Sequence, residues 1–219
     1  MQLELETYMP NEAEEITGVT QATVRNWRRA GYLERRKGHA RYNIGDLLVM
    51  FVADTMVKRG VAVKPAVTFA REAAEAIFQS MLHHSKCYAR PAYDALFQRA
   101  LAKIDSDPDR LAMACEVMGE SEAKTRDLIA KMGVYEEAAQ GLGLSGIKRP
   151  DWLVIWADDS VEFLYDSDVD GETADGQFFR NIDYRKPYVQ GPVIMLCLGA
   201  LAQMMIARLP RPPLRAMGE

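Results

Sequence analysis

Between Thr20 and Gly60 the chain carries nine lysines and arginines (Arg25, Arg28, Arg29, Arg35, Arg36, Lys37, Arg41, Lys58 and Arg59) against three acids, a local net charge of +6. Thr20, Gln21 and Thr23 stand just ahead of Arg25 and Arg28, so hydroxyl, amide and guanidinium groups fall within one short segment. A hydroxyl can bond a phosphate or a base edge, and a glutamine amide matches adenine. Arg35, Arg36, Lys37, His39 and Arg41 follow in a polar run suited to phosphate contacts, and Tyr42 closes it with a ring that packs or a hydroxyl that donates. Between Pro150 and Arg185 the balance reverses, with ten acids against two arginines, a net of −8. The whole chain is at −4, so a polyanion would be met by one region and not coated along the entire surface.

Other constellations are weaker. Asp166, Asp168 and Asp170 with Gly171 reproduce the first half of a calcium-binding loop, but Gln177 stands where a bidentate glutamate is needed. An acidic surface turn is the simpler reading. His83 and Cys87 share a helical i, i+4 spacing that could hold a metal, yet two ligands without a partner cluster describe an ordinary helix end equally well. Trp152, Trp156, Phe163, Tyr165, Phe178 and Phe179 could line a pocket for a small-molecule effector, or simply form core. No nucleophile–base pairing, phosphate-cradling glycine loop or zinc-hydrolase spacing is present, so neither an enzyme nor a cofactor is expected. Three widely separated cysteines make no disulfide framework, which together with the lack of a signal-peptide pattern predicts a cytoplasmic protein.

The elements that must position these groups are mostly helical. Asn11 with Glu14 suggests a capped first helix to about Ile16, Thr20 caps a second over 21–30, and Gly31 takes the left-handed position after it. Tyr32-Leu33 and Ala40-Arg41-Tyr42 suggest a two-stranded wing with its tip at Lys37-Gly38. Asn43 opens a third helix, and a fourth begins near Pro65 and runs to about Leu82. Helical spacing continues from Arg90 to Gly133, with a break at 105–108, and a further helix is expected over 122–132. Residues 152–156 and 161–165 read as a β-hairpin, and 192–208 as a buried helix too short to span a membrane. Pro210, Pro212 and Pro213 suggest a loose tail.

Helix, tight turn, basic helix, wing and amphipathic helix in this order suit reading of the major groove. The blocks Tyr8 to Gly18, Gly18-Val-Thr-Gln-Ala-Thr-Val-Arg-Asn-Trp-Arg-Arg-Ala-Gly-Tyr-Leu33, Arg41-Tyr42-Asn43, Asp46-Leu47 and Gly60-Val-Ala-Val63 resemble the DNA-binding domain of MerR-family regulators. The resemblance covers under a third of the chain. It implies a winged helix-turn-helix in which Arg25 occupies the family's DNA-contacting position, and a homodimeric regulator of transcription on an inverted repeat. The expected fold class is mainly α with a small antiparallel β element: a MerR-like domain over 1–65, a helical and dimerising region over 66–140, and a hairpin plus buried helix over 150–209 serving an effector or oligomerisation. Two alternatives stay open. The short wing is also similar to excisionase-like architectural proteins, and the acidic rear would suit a protein-binding anti-activator whose DNA domain is vestigial.

Overall fold

Several helix starts in this chain follow side chains able to bond free backbone amides. The computed structural model describes residues 2–34, 41–144, 150–165 and 185–217. Among these the order is β1 (Leu3–Leu5), α1 (Pro10–Thr17), α2 (Gln21–Arg29), α3 (Ile44–Val57), α4 (Val63–Leu82), α5 (Arg90–Asp105), α6 (Pro108–Met118), α7 (Glu122–Gly141), β2 (Trp152–Ile155), β3 (Val161–Leu164), β4 (Ile194–Cys197), α8 (Leu198–Arg208) and β5 (Leu214–Ala216). The fold is mainly α with small antiparallel sheets. No helix among the described residues is long and apolar enough to cross a membrane.

Contacts divide the chain into two units, one of residues 8–81 and 148–208, the other of 1–7, 82–147 and 209–219. In the first, Thr20 Oγ1 accepts the Thr23 amide at 3.2 Å to open α2, and Asn43 and Asp46 cap α3 reciprocally at 3.0 and 2.9 Å. α1 begins earlier than Asn11 suggests. Pro10 takes the first helical position, where its missing N–H costs nothing, and Glu12, not Glu14, reaches back to the Met9 amide at 2.7 Å. Gly18 and Gly31 both sit at positive φ, 75° and 79°, as the turns after α1 and α2 require. Tyr8, Ile16, Val24, Trp27, Leu47 and Phe51 are buried around these helices, while α4 is buried on nearly all sides from Ala73 to Leu82 except at Glu75.

Of the predicted wing, Ala40 and the tip at Lys37-Gly38 lie outside the described residues, and Tyr32 and Leu33 form no strand pairing with Arg41 or Tyr42. Tyr42 instead forms an antiparallel bridge with Tyr8, with amide–carbonyl distances of 2.8 and 3.0 Å, and the Tyr32 and Leu33 amides turn back to the Trp27 carbonyl. The predicted hairpin is present as β2 and β3, with Asp159 at φ 64° in its turn. A third strand joins it: β4 pairs antiparallel to β2, giving the order β3-β2-β4. The helix expected over 192–208 therefore starts only at Leu198. Val193 to Cys197 is apolar throughout, a pattern that periodicity alone cannot assign, and pairing with the buried central strand decides it.

In the second unit α5 and α7 run antiparallel, tied by Arg99–Glu137 at 2.7 Å and Arg126–Asp105 at 2.6 Å. Gly133 lies where they approach closely, since a Cβ there would fall 2.9 Å from the Ala100 methyl. α7 continues nine residues past the expected end at Met132, burying Val134, Ala138 and Ala139. The proline-rich tail is not loose either. β5 pairs with β1 from Leu3↔Ala216 to Leu5↔Leu214, and the Ala89 amide donates to the Leu214 carbonyl at 2.7 Å. Pro213 ends ahead of the paired residues and offers only its carbonyl, to Glu6 at 2.8 Å, so the prolines withhold no ladder donor.

Candidate nucleic-acid interface

α2 is positioned by its buried side. Val24 and Trp27, 5% and 6% exposed, anchor it, leaving Gln21, Ala22, Arg25, Asn26 and Arg29 on the exposed face at the i, i+4, i+8 spacing of one helical stripe. Arg25 and Arg29 make no hydrogen bond or ion pair with the described residues, so both guanidinium groups remain available to an anion.

The N-terminal end of α2 is already engaged. Glu14 Oε2 accepts the Gln21 amide at 3.2 Å, which places a carboxylate at the positive end of the helix dipole. Phosphate affinity must then come from side chains more than from this helix terminus. The Thr20 and Thr23 hydroxyls lie 2.9 Å apart and share one hydrogen bond, which leaves one hydroxyl proton of the pair to donate outward.

Arg28 differs from its neighbours. Four residues from Val24 and next to Trp27, it falls at the edge of the buried side, and its guanidinium lies 5.3 Å from the centre of the Tyr42 ring. Its Nε is buried without a hydrogen-bond partner. Tyr42 is 5% exposed, so it packs. Arg28 and Tyr42, with Leu33, Glu34, Asp46 and Arg71, surround a cavity of about 200 Å³, and Arg71 of α4 donates to the Tyr32 carbonyl at 2.6 Å, tying down the segment that leaves α2. Arg41 is exposed beside Tyr42. Arg35, Arg36, Lys37 and His39 lie outside the described residues. Of the remaining cluster, Lys58 pairs with Asp54 at 2.6 Å and Arg59 donates to the Thr55 carbonyl.

Arg29, counted in the basic cluster, and Asn26 are the outward residues of α2 that are not among the expected DNA contacts. Their signal is present in the spacing: Arg29 is four residues from Arg25 and so shares its face, whereas Arg28 is four from the buried Val24.

Among the described residues the other candidates do not converge, and Phe178 and Phe179 lie outside them. Asp166, Asp168 and Asp170 lie outside the described residues. His83 stacks on Tyr135 with ring centres 3.9 Å apart, while Cys87 is fully buried and its thiol pKa is pushed far up by desolvation. Among the described residues no group of three or more His, Cys, Asp or Glu is placed to hold a metal ion. Trp156 is 6% exposed, edge-on to Tyr188 at 4.9 Å, with its indole N–H on Glu162 at 3.2 Å.

No curated protein and no solved structure matches the chain. Residues 8–72 match the family described as MerR HTH family regulatory protein. This span takes in α1 to α3, the exposed face of α2 and the first half of α4. The N-terminal region of the chain is thus a MerR-type helix-turn-helix DNA-binding domain.

Proposed function

We propose that the protein is a sequence-specific transcription regulator that binds DNA as a homodimer on an inverted repeat. The observation that carries this reading is the exposed face of α2, a capped and anchored helix that turns Gln21, Arg25, Asn26 and Arg29 outward within the MerR-type region. A helix of this width enters the major groove, and one such helix covers too few base pairs to be selective alone, which favours a two-fold protein on a two-fold site. Gln21 and Arg25 would read base edges, the spare hydroxyl of Thr20 or Thr23 would bond a phosphate, and Arg41 with Arg35, Arg36, Lys37 and His39 would contact the backbone. Arg28 would act through Tyr42, setting the base of the wing.

Arg25→Ala is expected to weaken binding to a selected duplex by about 1–3 kcal/mol in a gel-shift titration. Equal binding by variant and wild type would remove α2 as the reading element. Affinity should also fall steeply with salt through counterion release, and salt-insensitive binding would remove DNA as the partner. Sedimentation of the protein–duplex complex tests the two-to-one stoichiometry.

A further inference from the structure

α1 carries Glu12, Glu14 and Glu15 and has no basic residue in its own last turn. Carbonyls at a helix C-terminus lack intrahelical donors and bear partial negative charge, so this end calls for a cation from elsewhere. Arg208, the last residue of α8, supplies one. Its Nη1 donates to the Ile16 carbonyl at 3.3 Å, and its guanidinium lies 4.9 Å from the centre of the Phe51 ring in α3. α8 packs against α1 and also against β2 and β4, all within the same compact unit.

The carbonyl that Arg208 holds is close to the parts that present α2. Two residues before Ile16, Glu14 accepts the Gln21 amide; two residues after it, Gly18 turns the chain at φ 75°. Displacing the end of α1 would carry both the carboxylate and the turn with it, and α2 would lose its seat. Sequence separation makes this contact unusual, since Arg208 stands 192 residues from Ile16 and far outside the 8–72 match.

We infer that Arg208 is a positioning residue for the DNA-reading helix, so that the β2–β4 sheet and α8 complete the recognition unit. This rests on the DNA-binding reading above.

The test compares full-length wild type, Arg208→Met, Arg208→Lys and Arg25→Ala on a duplex enriched by the wild type from a random pool, between about 50 and 200 mM salt. It also follows amide hydrogen exchange from Gly18 to Gln21 without DNA. Arg208→Met keeps the stem but removes the donor and the charge. It is expected to bind about three- to tenfold more weakly, the range for net loss of one long hydrogen bond, with an unchanged salt slope and faster exchange over Gly18 to Gln21. Arg208→Lys should stay within about twofold of wild type, as a cation and donor are retained. A salt slope lowered by about one in Arg208→Met would mean that Arg208 touches a phosphate itself and would overturn the inference. Wild-type affinity and exchange in Arg208→Met would overturn it as well. Should Arg208→Met not fold, the lysine variant decides: folded but as weak as Arg25→Ala, it excludes a role for the cation, and near wild type it supports one. Failure of the wild type to enrich any duplex would instead bring down the DNA-binding reading, and the exchange data would still show whether Arg208 holds the turn.

Discussion

α2 and α6 are helices of nine and eleven residues, each with most of its surface exposed, and they differ in what they expose and in what holds them. Both have well-made ends. Thr20 and Gly31 bracket α2, while Asp107 caps α6 at 3.1 Å and Gly119, at φ 64°, closes it. α2 is anchored by Val24 and Trp27 and shows arginine, asparagine and glutamine outward; α6 buries only Leu111, with Cys115 half-buried against the same cluster, and shows Met113 and Val117, 67% and 81% exposed. Caps decide where a short helix begins and ends, but anchors decide how firmly it is held. An exposed face can carry polar and charged groups that water solvates, as on α2, or apolar groups that would gain by burial, as on α6.

Four substitutions sharpen this contrast, from the largest effect to the smallest. Trp27→Ala is expected to cost about 3–5 kcal/mol in chemical denaturation, as a large buried side chain is lost. A cost below about 1 kcal/mol would mean that the caps hold α2, contrary to the comparison. Gly133→Val should cost about 1–3 kcal/mol, because its first side-chain carbon already meets the Ala100 methyl and the α5–α7 contact must open. An unchanged melting temperature would show that the two helices separate without penalty. Thr20→Ala should lose about 1 kcal/mol through the cap, read in the same denaturation series. Val117→Ser should move stability by less than about 0.5 kcal/mol, the range of surface substitutions. A larger loss would show that the apolar face of α6 is covered in solution.

Helix positions in the N-terminal region were legible because their signals are local. Thr20, Asn43, Gly18 and Gly31 act on neighbours within a few residues, and the structure uses them as their chemistry dictates. Glu14 was misread as part of a cap on its own helix, since its real acceptor role toward Gln21 depends on how the chain turns at Gly18. β4, β1 and β5 were not legible for a related reason. Strands of three or four residues carry little periodicity, and their partners lie about 40 to more than 200 residues away. The site divides in the same way: the outward residues of α2 follow from helical spacing against Val24 and Trp27, whereas the tie from Arg71 to Tyr32 and the hold of Arg208 on Ile16 depend on tertiary packing.

The pairing of Leu3–Leu5 with Leu214–Ala216 also constrains when the protein can finish folding. At about 5–20 residues per second of synthesis, β1 leaves the ribosome some 10–40 s before its partner has been made. During that interval three alternating apolar and charged residues hang as an unpaired strand edge, the kind of segment that chaperones bind and that mispairs between nascent chains. Completion of this unit therefore waits until Leu214 to Ala216 have been made.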